Sequence, residues 1–338
     1  VCPTGTKGGR GACHRPLAGH LSAGTLYRFK VRAYRRTKSR IYYSKYSKRI
    51  QLRTKKEPTK KVSTIKKYLQ TAIQPIGKAI YVWGGGWSVD GLGGSTEART
   101  MGVSKNWTKF FNAQTKDYNF YNTQYQRHDG LDCSGYVGWT IYNMMNTKSG
   151  NNGYVMSAKD MAKNYASRGW GKYIKRANVK DYKPGDIMSS ACADCGHVWI
   201  VIGACEDGSV VALHSSSNPG VQLSGTVTPT GRVDSQAAEL AKKYMEQYFP
   251  AWSAKYKTKV RDEKYLSHFC QMRWNVSGKS VMTDPDGYQK MTAEQVLEDL
   301  LGPLEKEEIP PPEPEPEPQP ETQTELPETS QMTELPVN

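Results

Sequence analysis

A cysteine at a glycine-containing turn is the residue of this chain that is best placed to do chemistry. Residues 131–135 read Leu-Asp-Cys-Ser-Gly, and an apolar, helix-like run follows directly. Unpaired backbone N–H groups at the start of a helix carry partial positive charge, which lowers the pKa of a thiol. We therefore predict that Cys133 is an exposed, partly ionised nucleophile aimed at a carbonyl group. A buried structural cysteine is the alternative.

Two histidines further along the chain are each joined to an apolar, strand-like segment. His197 begins the run 197–203, and His214 ends the run 210–214. A nucleophilic thiol needs a base, and the base needs a partner that orients its ring. Neighbouring strands would bring the two imidazoles within hydrogen-bond reach of each other. We predict that His197 is the base of Cys133 and that His214 fixes the tautomer of His197.

Rival residues for this chemistry are less well placed. His128 is close to Cys133 in the sequence, but it lies in a polar loop with no strand to hold it, and His268 is expected in the core or on the surface. Cys192 and Cys195 have C-x-x-C spacing without a second pair or a redox context. A zinc site would need two further ligands, so we expect a local disulfide or two free thiols, with no metal or other cofactor.

The elements that must position these residues follow from the pattern of apolar side chains. An amphipathic helix is predicted from Ser63 to Ile80, and residues 88–127 are polar and aromatic, which is typical of an inserted loop or small subdomain. Cys133 begins the next helix. The other predicted elements are a helix from Ser157, where Ser157 and Asp160 have capping-box spacing, a strand at 220–226, a helix over 234–248, a strand over 269–274, and a helix capped by Thr292 and Gln295 that ends near Leu301.

The first 55 residues contain two strand-like runs, at 21–34 and 41–52. In the first run apolar and basic residues alternate, as in a half-buried strand. The runs resemble the last two strands of a fibronectin type III module. The spacing from Leu21 through Gly-Thr to Tyr27 resembles the tyrosine corner of that module. A complete sandwich needs about 100 residues, so we expect a partial module that cannot close a core alone; a generic β-hairpin is the alternative. Residues 56–62 are a Lys/Thr/Pro linker.

The composition changes sharply at the carboxyl end. From Glu305 onward the chain holds ten Glu and one Lys, and a Pro/Glu repeat occupies 310–318. Such a segment cannot bury apolar surface, so we predict a disordered tail over 303–338. Of the total formal charge of +15, the segment from Glu305 carries −9, which leaves +24 on the residues before it. A surface that basic is expected to associate with polyanions.

Composition and motifs exclude several classes of protein. No run approaches the ~18 apolar residues of a membrane span, and no zinc-finger or aromatic RNA-binding motif accompanies the basic charge. We therefore expect no membrane span and no nucleic-acid partner. No signal peptide is visible, but the chain opens with Val1 rather than Met, so we expect that Val1 is not the natural start.

Four motifs occur in the order that is typical of one enzyme family. They are Tyr81-Val-Trp-Gly-Gly, Leu-Asp-Cys133-Ser-Gly-Tyr-Val, Pro-Gly-Asp-Ile followed by Gly-His197-Val-Trp-Ile-Val-Ile-Gly, and His214. Over residues 63–275 the chain resembles the NlpC-type cysteine peptidases of the papain-like group, which cleave bacterial cell-wall peptides. The resemblance implies an α+β fold with a papain-like core, in which the helix beginning at the catalytic cysteine packs on a central antiparallel sheet that carries the histidines. We assign residues 63–302 to this peptidase domain.

The resemblance also implies roles for individual residues. Cys133 is the nucleophile, His197 the general base and His214 the orienting third residue. Tyr81 and the Cys133 backbone N–H would stabilise the tetrahedral oxyanion. The two residues that flank the nucleophile, Asp132 and Ser134, would bind the substrate amine.

The chain departs from the family pattern at residues 88–127, where members usually have a short gap. We expect this insertion to lie beside the cleft and to affect which bond is cleaved. Its aromatic residues could shape a glycopeptide groove, but we expect them to form a minor core.

Together these features predict a secreted, monomeric peptidoglycan hydrolase that works at the bacterial cell wall. It would cleave an amide bond in the stem peptide as an endopeptidase, through a Cys-His-His triad and a thioester acyl-enzyme. The basic surface would hold it on anionic wall polymers. The alternatives are an N-acetylmuramoyl-L-alanine amidase with the same triad, a non-catalytic wall-binding or adhesion protein, and a thiol redox protein that uses Cys192 and Cys195.

Overall fold

The computed structural model describes residues 26–37, 39–53, 62–145, 153–190, 196–217 and 219–305. Its strands are β1 (Leu26–Phe29), β2 (Tyr34–Arg36), β3 (Ile41–Tyr43), β4 (Ile50–Arg53), β5 (Ser63–Thr64), β6 (Gly171–Ile174), β7 (Ile187–Ser190), β8 (Val198–Ala204), β9 (Val210–Ser216), β10 (Gly220–Gly225), β11 (Phe269–Trp274) and β12 (Met282–Thr283). Its α-helices are α1 (Ile65–Ala72), α2 (Lys105–Ala113), α3 (Cys133–Met145), α4 (Met161–Ser167), α5 (Gln236–Tyr248), α6 (Pro250–Ser253), α7 (Lys264–Ser267) and α8 (Ala293–Leu301). The fold class is α+β, as predicted.

One six-stranded sheet organises the fold, with the strand order β10-β9-β8-β7-β11-β6. Every neighbouring pair in it is antiparallel. Strands β8 and β9 are buried along almost their whole length. Their near-continuous apolar sequences suit strands that are covered on both faces.

The two faces of this sheet belong to two separate apolar clusters. Val198, Ile200 and Leu213 point into the larger cluster, which also holds α3 and α5 residues. Trp199 and Val201 point into a smaller cluster on the other face. Side chains of a strand alternate between faces, and this alternation assigns His197 to the same face as Trp199.

Helix α3 carries the candidate nucleophile at its first position. It is buried from Cys133 to Met144, and it packs on β8 and β9 and against α1. A helix that is apolar on all sides is expected to be enclosed in this way. The sheet and α3 therefore hold the cysteine and the histidines on the same rigid core.

The insertion over residues 88–127 contributes to the core through α2. Trp107 and Phe111 are buried, and the Trp107 ring lies edge-on to Trp139 of α3, with 5.8 Å between ring centroids. Phe111 contacts the Tyr256 ring in the same manner, at 6.3 Å. The insertion is therefore anchored in the main apolar cluster, and the separate minor core expected from its aromatic residues is wrong for Trp107 and Phe111.

The amino-terminal strands form a separate antiparallel arrangement, in which β1 pairs with β4 and β2 pairs with β3. Their apolar residues stay exposed: Val31 is 66% and Leu52 is 61% exposed. Within the described residues these strands have no buried apolar core of their own.

The predicted helix from Ser63 to Ile80 is wrong at both ends. Ser63 and Thr64 form β5, which pairs in parallel with β12, and the Thr64 side chain then caps α1 by accepting the Lys67 N–H at 3.0 Å. Helix α1 ends at Ala72. Pro75 disfavours helical backbone at the residue before it, and Gly77 takes a left-handed φ of 70°, so the chain leaves the helix there.

Of the two predicted capping boxes, one is confirmed and one is wrong. At α8, the Thr292 hydroxyl accepts the Gln295 N–H, and the Gln295 side chain accepts the Thr292 N–H. Ser157 makes no side-chain cap bond. The chain tightens there into a 3₁₀ turn, because the Asp160 N–H donates to the Ser157 carbonyl at 2.9 Å.

Several sequence predictions fall outside the described residues. These are the tail from Lys306, most of the linker, and the pair Cys192 and Cys195. No helix in the described ranges is both long and apolar enough to cross a membrane.

Candidate active site

Cys133 begins α3, as predicted, but it is neither exposed nor partly ionised. Only 6% of the residue is exposed, and burial raises the pKa of its thiol well above the usual range. The Sγ atom donates to the Gly196 carbonyl at 3.5 Å. Loss of water around the thiolate outweighs the favourable field of the helix end, so the resting residue is a neutral thiol.

Two glycine-containing motifs meet at this cysteine. A Cβ atom on Gly135 would lie 2.1 Å from the Gly85 carbonyl oxygen and 3.1 Å from the Gly86 Cα. The Asp132 N–H also donates to the Gly85 carbonyl at 2.9 Å. The first turn of α3 therefore sits directly on the Trp-Gly-Gly loop, and only glycine allows that approach.

The two histidines form a hydrogen-bonded pair. His197 Nε2 and His214 Nδ1 are 2.9 Å apart, as expected for residues on the neighbouring strands β8 and β9. His214 is fully buried, whereas His197 is half-buried and its backbone N–H donates to the Ser190 hydroxyl at 3.3 Å. Burial, followed by the positive charge of Arg261, lowers the pKa of His197 to about 3 and that of His214 well below its usual range.

Cys133 and His197 come together at the start of β8 without bonding to each other. Among the described residues, the hydrogen bond of the thiol goes to Gly196, the residue just before His197. The larger apolar cluster includes Cys133, whereas the His197 ring contacts Tyr265 and Phe269 at 5.7 and 6.3 Å. The Cys133 thiol and the predicted base thus lie on different sides of the start of β8, in neutral forms.

Tyr81 lies in the cleft beside Cys133. Its backbone carbonyl accepts a hydrogen bond from the Tyr118 hydroxyl at 2.6 Å, which ties it to the insertion. Burial raises the pKa of the Tyr81 phenol above its usual range, and the negative charge of Cys133 in its thiolate form raises it further. The phenol therefore keeps its proton and can donate a hydrogen bond.

The residues flanking Cys133 hold the start of the helix. One carboxylate oxygen of Asp132 accepts the Ser134 hydroxyl at 2.8 Å and the Gly135 N–H at 2.7 Å. Trp87 Nε1 donates to the Ser134 hydroxyl at 2.9 Å. Burial raises the pKa of Asp132 to about 6. These bonds give both residues a structural role beside the predicted contact with a substrate amine.

An open cleft of about 600 Å³ contains the cysteine and its neighbours. One wall is formed by the insertion and the loop before it, where Trp83 is 45% and Tyr125 is 58% exposed. Tyr125 has a left-handed φ of 63°, and its N–H donates to the Trp83 carbonyl at 2.8 Å. The Arg127 guanidinium lies 5.4 Å from the centroid of the Tyr125 ring. The insertion therefore borders the cleft, as the sequence analysis expected.

The rival histidines lie away from this chemistry. His128 is half-exposed and bonds to Glu97 at 2.8 Å, and His268 bonds to the Ser267 hydroxyl at 2.8 Å. In the described part of the chain, no group of three or more His, Cys, Asp and Glu side chains is arranged to hold a metal ion.

Sequence reasoning missed three residues around His214. The Tyr265 hydroxyl is 3.3 Å from His214 Nδ1, and the Ser224 hydroxyl is 3.0 Å from His214 Nε2. Arg261 Nη2 donates to Ser224 at 3.2 Å. Ser224 had a usable signal, because it lies on the predicted strand next to the one that ends at His214; no sequence pattern points to Tyr265 or Arg261.

Comparison of the chain with protein-family models, with curated proteins and with solved structures found no match.

Proposed function

We propose that this protein is a secreted peptidoglycan hydrolase of the NlpC type that cleaves an amide bond in cell-wall stem peptides. One observation carries the proposal. The thiol of Cys133 bonds to Gly196, and the next residue, His197, bonds to His214 at 2.9 Å. These two contacts place Cys133 beside the residue that precedes His197, and they support a nucleophile, a base and an orienting residue at the start of β8.

The architecture supports a papain-like core for the same reason. The cysteine occupies the first position of a buried helix, and that helix packs on the antiparallel strands β8 and β9. His197 directly precedes β8, and His214 lies inside β9, two residues before the strand ends, rather than at its end as predicted. Such an arrangement places the reactive groups on rigid elements, which holds the geometry that catalysis requires.

The first half of the reaction forms an acyl-enzyme. His197 takes the thiol proton, and the Sγ atom of Cys133 attacks the carbonyl carbon of the scissile amide. The tetrahedral oxyanion is stabilised by the Cys133 backbone N–H and the Tyr81 hydroxyl. The C–N bond then breaks, the proton on His197 passes to the leaving amine, and a thioester remains on Cys133.

The second half regenerates the enzyme. His197 takes a proton from water, and the resulting hydroxide attacks the thioester carbonyl carbon. The C–S bond breaks, the acid product leaves, and Cys133 recovers its proton. Because both groups are neutral at rest, the thiol proton must turn from Gly196 to His197 as substrate binds.

A second candidate activity, an N-acetylmuramoyl-L-alanine amidase with the same triad, has one observation in its favour. The exposed rings of Trp83 and Tyr125 line the same cleft as the nucleophile. Exposed aromatic rings in a cleft offer apolar faces on which a sugar ring can stack. An amidase needs such a contact beside its scissile bond, because its substrate bond joins peptide to sugar.

Anionic wall polymer is the proposed partner outside the cleft. Four lysines, Lys116, Lys255, Lys257 and Lys259, line a depression of about 210 Å³. The Lys255 ammonium donates to the carbonyls of residues 111 and 112 at 3.0 and 3.2 Å, which fixes its position. The other three add to the basic surface, so a polyanion is expected to bind there with an affinity that salt lowers. We propose that the protein works as a monomer at the cell wall.

A turbidity assay on purified cell walls tests the catalytic proposal. We expect Cys133→Ala to lose essentially all clearing, whereas Cys205→Ala, a half-buried cysteine outside the cleft, keeps the activity of the parent. Equal clearing by Cys133→Ala and the parent would refute the assignment of the nucleophile. Clearing by neither protein would favour the non-catalytic wall-binding alternative.

Mass spectrometry of the digested walls identifies the bond. New amino and carboxyl ends within the stem peptide support the endopeptidase, and free muramoyl lactyl ends support the amidase. The redox alternative predicts a different result, namely loss of activity in Cys192→Ser while Cys133 is intact.

A further inference from the structure

A cation, rather than a carboxylate, ends the hydrogen-bond chain behind the two histidines. Arg261 is held beside the end of β10, where its N–H donates to the Gly225 carbonyl and its carbonyl accepts the Val227 N–H, both at 2.8 Å. Its Nη2 atom donates to Ser216 at 3.1 Å and to Ser224 at 3.2 Å. In the described residues no carboxylate forms an ion pair with this guanidinium.

The hydroxyl of Ser224 has three polar neighbours, and their chemistry restricts its proton. A guanidinium only donates hydrogen bonds, so Arg261 occupies one lone pair of the Ser224 oxygen. The remaining lone pair and the proton are shared between His214 Nε2 at 3.0 Å and Gln222 Oε1 at 3.4 Å.

Gln222 decides which neighbour receives the proton. Its amide nitrogen donates to the Gly220 carbonyl and to the Ser216 hydroxyl, each at 3.4 Å. A backbone carbonyl can only accept, so this contact directs the NH₂ group toward Gly220 and the amide oxygen toward Ser224. The Ser224 proton therefore points to Gln222, and the Ser224 oxygen accepts from His214.

We propose that Ser224 and Arg261 are positioning residues that hold His214 with its proton on Nε2, and so leave Nδ1 of His197 free to take the thiol proton of Cys133. With the proton on Nε2, His214 Nδ1 accepts from His197 Nε2 at 2.9 Å. The Tyr265 hydroxyl lies 3.3 Å from the same Nδ1, whose single lone pair is then taken by His197. The role of His197 in taking the thiol proton rests on the proposed hydrolase function, whereas the tautomer of His214 does not.

Arg261 has a second effect, on charge. Among the described residues, the titratable and charged groups around the histidine pair are Cys133, Arg261, Tyr265 and, next to Arg261, Asp262. A fixed cation near two imidazoles opposes their protonation. The pair therefore rests neutral, and the imidazolium exists only while a proton is in transit.

Long-range ¹H–¹⁵N correlation spectra of the full ¹⁵N-labelled chain test the tautomer directly. We expect the parent to show His197 and His214 both protonated on Nε2 at pH 7, with the signals assigned from His214→Asn. In Ser224→Ala, His214 should shift toward the Nδ1–H form, whereas Ser224→Thr, which keeps the hydroxyl, should retain the parent pattern. The matched control is Ser189→Ala, a buried serine of the same sheet that bonds to the backbone N–H of Ala162.

Titration and kinetics supply two further readouts. Arg261→Met should raise the pH midpoint of the histidine ¹⁵N shifts, and Arg261→Lys should leave it near that of the parent. If the protein hydrolyses soluble peptidoglycan fragments, Ser224→Ala should lower kcat by about 10- to 100-fold with little change in KM. This is the usual range of effect for a residue that acts by orienting a catalytic group through a hydrogen bond.

The parent spectrum is decisive even if the Ser224 and Arg261 variants fail to fold. A proton on Nδ1 of His214 in the parent would overturn the proposal, as would an unchanged tautomer in folded Ser224→Ala. The expected tautomer in a protein that does not cleave peptidoglycan would leave this inference standing and refute the proposed function alone.

Discussion

Replacing Gly135 with alanine tests whether the contact between α3 and the Trp-Gly-Gly loop holds the site together. The added Cβ would lie 2.1 Å from the Gly85 carbonyl oxygen, whereas real Cβ contacts stay above 3.0 Å. Helix and loop must therefore separate by about 0.9 Å. Both partners are backbone, so no flexible side chain can move aside.

The expected cost follows from two opposing effects. Forced overpacking of a close contact costs about 3 kcal/mol at its upper range, and alanine regains about 1 kcal/mol over glycine inside a helix. The net loss is about 2 kcal/mol in the free energy of unfolding, or about 6 °C in Tm for a domain of this size. Cys133 lies in the same helical turn, and a 1 Å displacement of a catalytic group lowers the rate by about 100-fold.

Thermal unfolding followed by tryptophan fluorescence, together with the wall-clearing rate, measures both effects. Gly196→Ala is the control for the Tm alone, because among the described residues nothing lies within 4 Å of a Cβ at that position and its φ is not left-handed. Its clearing rate is not compared, because its carbonyl accepts the Cys133 thiol. Its Tm should stay within about 1 °C of the parent. A Gly135→Ala protein with the Tm and clearing rate of the parent would refute the reasoning.

Three further predictions concern charge. Arg273 binds the fully buried Asp186 at 2.8 Å, so Arg273→Met should lower the free energy of unfolding by about 3–5 kcal/mol. The control is Arg232→Met, at an exposed ion pair, which should change the free energy of unfolding by less than about 1 kcal/mol. Urea midpoints that fall equally in both variants would contradict this prediction. The pKa of His197 is about 3 in the folded protein and about 6.5 in the unfolded chain, so its neutral form contributes stability above pH 6.5 that is lost as the pH falls toward 3. The pH dependence of the urea midpoint should therefore be weaker in His197→Gln than in the parent over that window, and identical slopes would count against it. Burial raises the pKa of the Cys133 thiol, so peptide mass mapping should show slow alkylation by iodoacetamide at pH 7 compared with the urea-unfolded chain, and equal rates would show that the thiol is not protected.

Local patterns in the sequence were enough to predict the α+β class and most elements around the site. The apolar runs that end or begin at His197 and His214 predict two strands, because unbroken apolar segments need a sheet covered on both faces. The Thr292 and Gln295 pair predicts the start of α8, since both capping bonds are made within one turn. Such features depend on residues that are close in the chain.

Properties that depend on contacts between residues far apart in the chain could not be predicted from local patterns. The exposed, partly ionised state expected for Cys133 is wrong, because its burial comes from the loop at Gly85 and from the sheet, which approach it only in the folded protein. Desolvation depends on everything that surrounds a group, and no short motif records it.

The sequence by itself determined the candidate reactive residues: a cysteine at a helix start, two histidines on apolar strand-like runs, and the glycines that let the motif loops touch. Only the tertiary structure decided their charge and their proton positions. The His197 and His214 rings are joined at 2.9 Å across neighbouring strands. Ser224 of β10 bonds to His214, and Arg261, in the segment before α7, bonds to Ser224. Hydrogen-bond direction and pKa arise from these long-range contacts, which exist only after the sheet has formed.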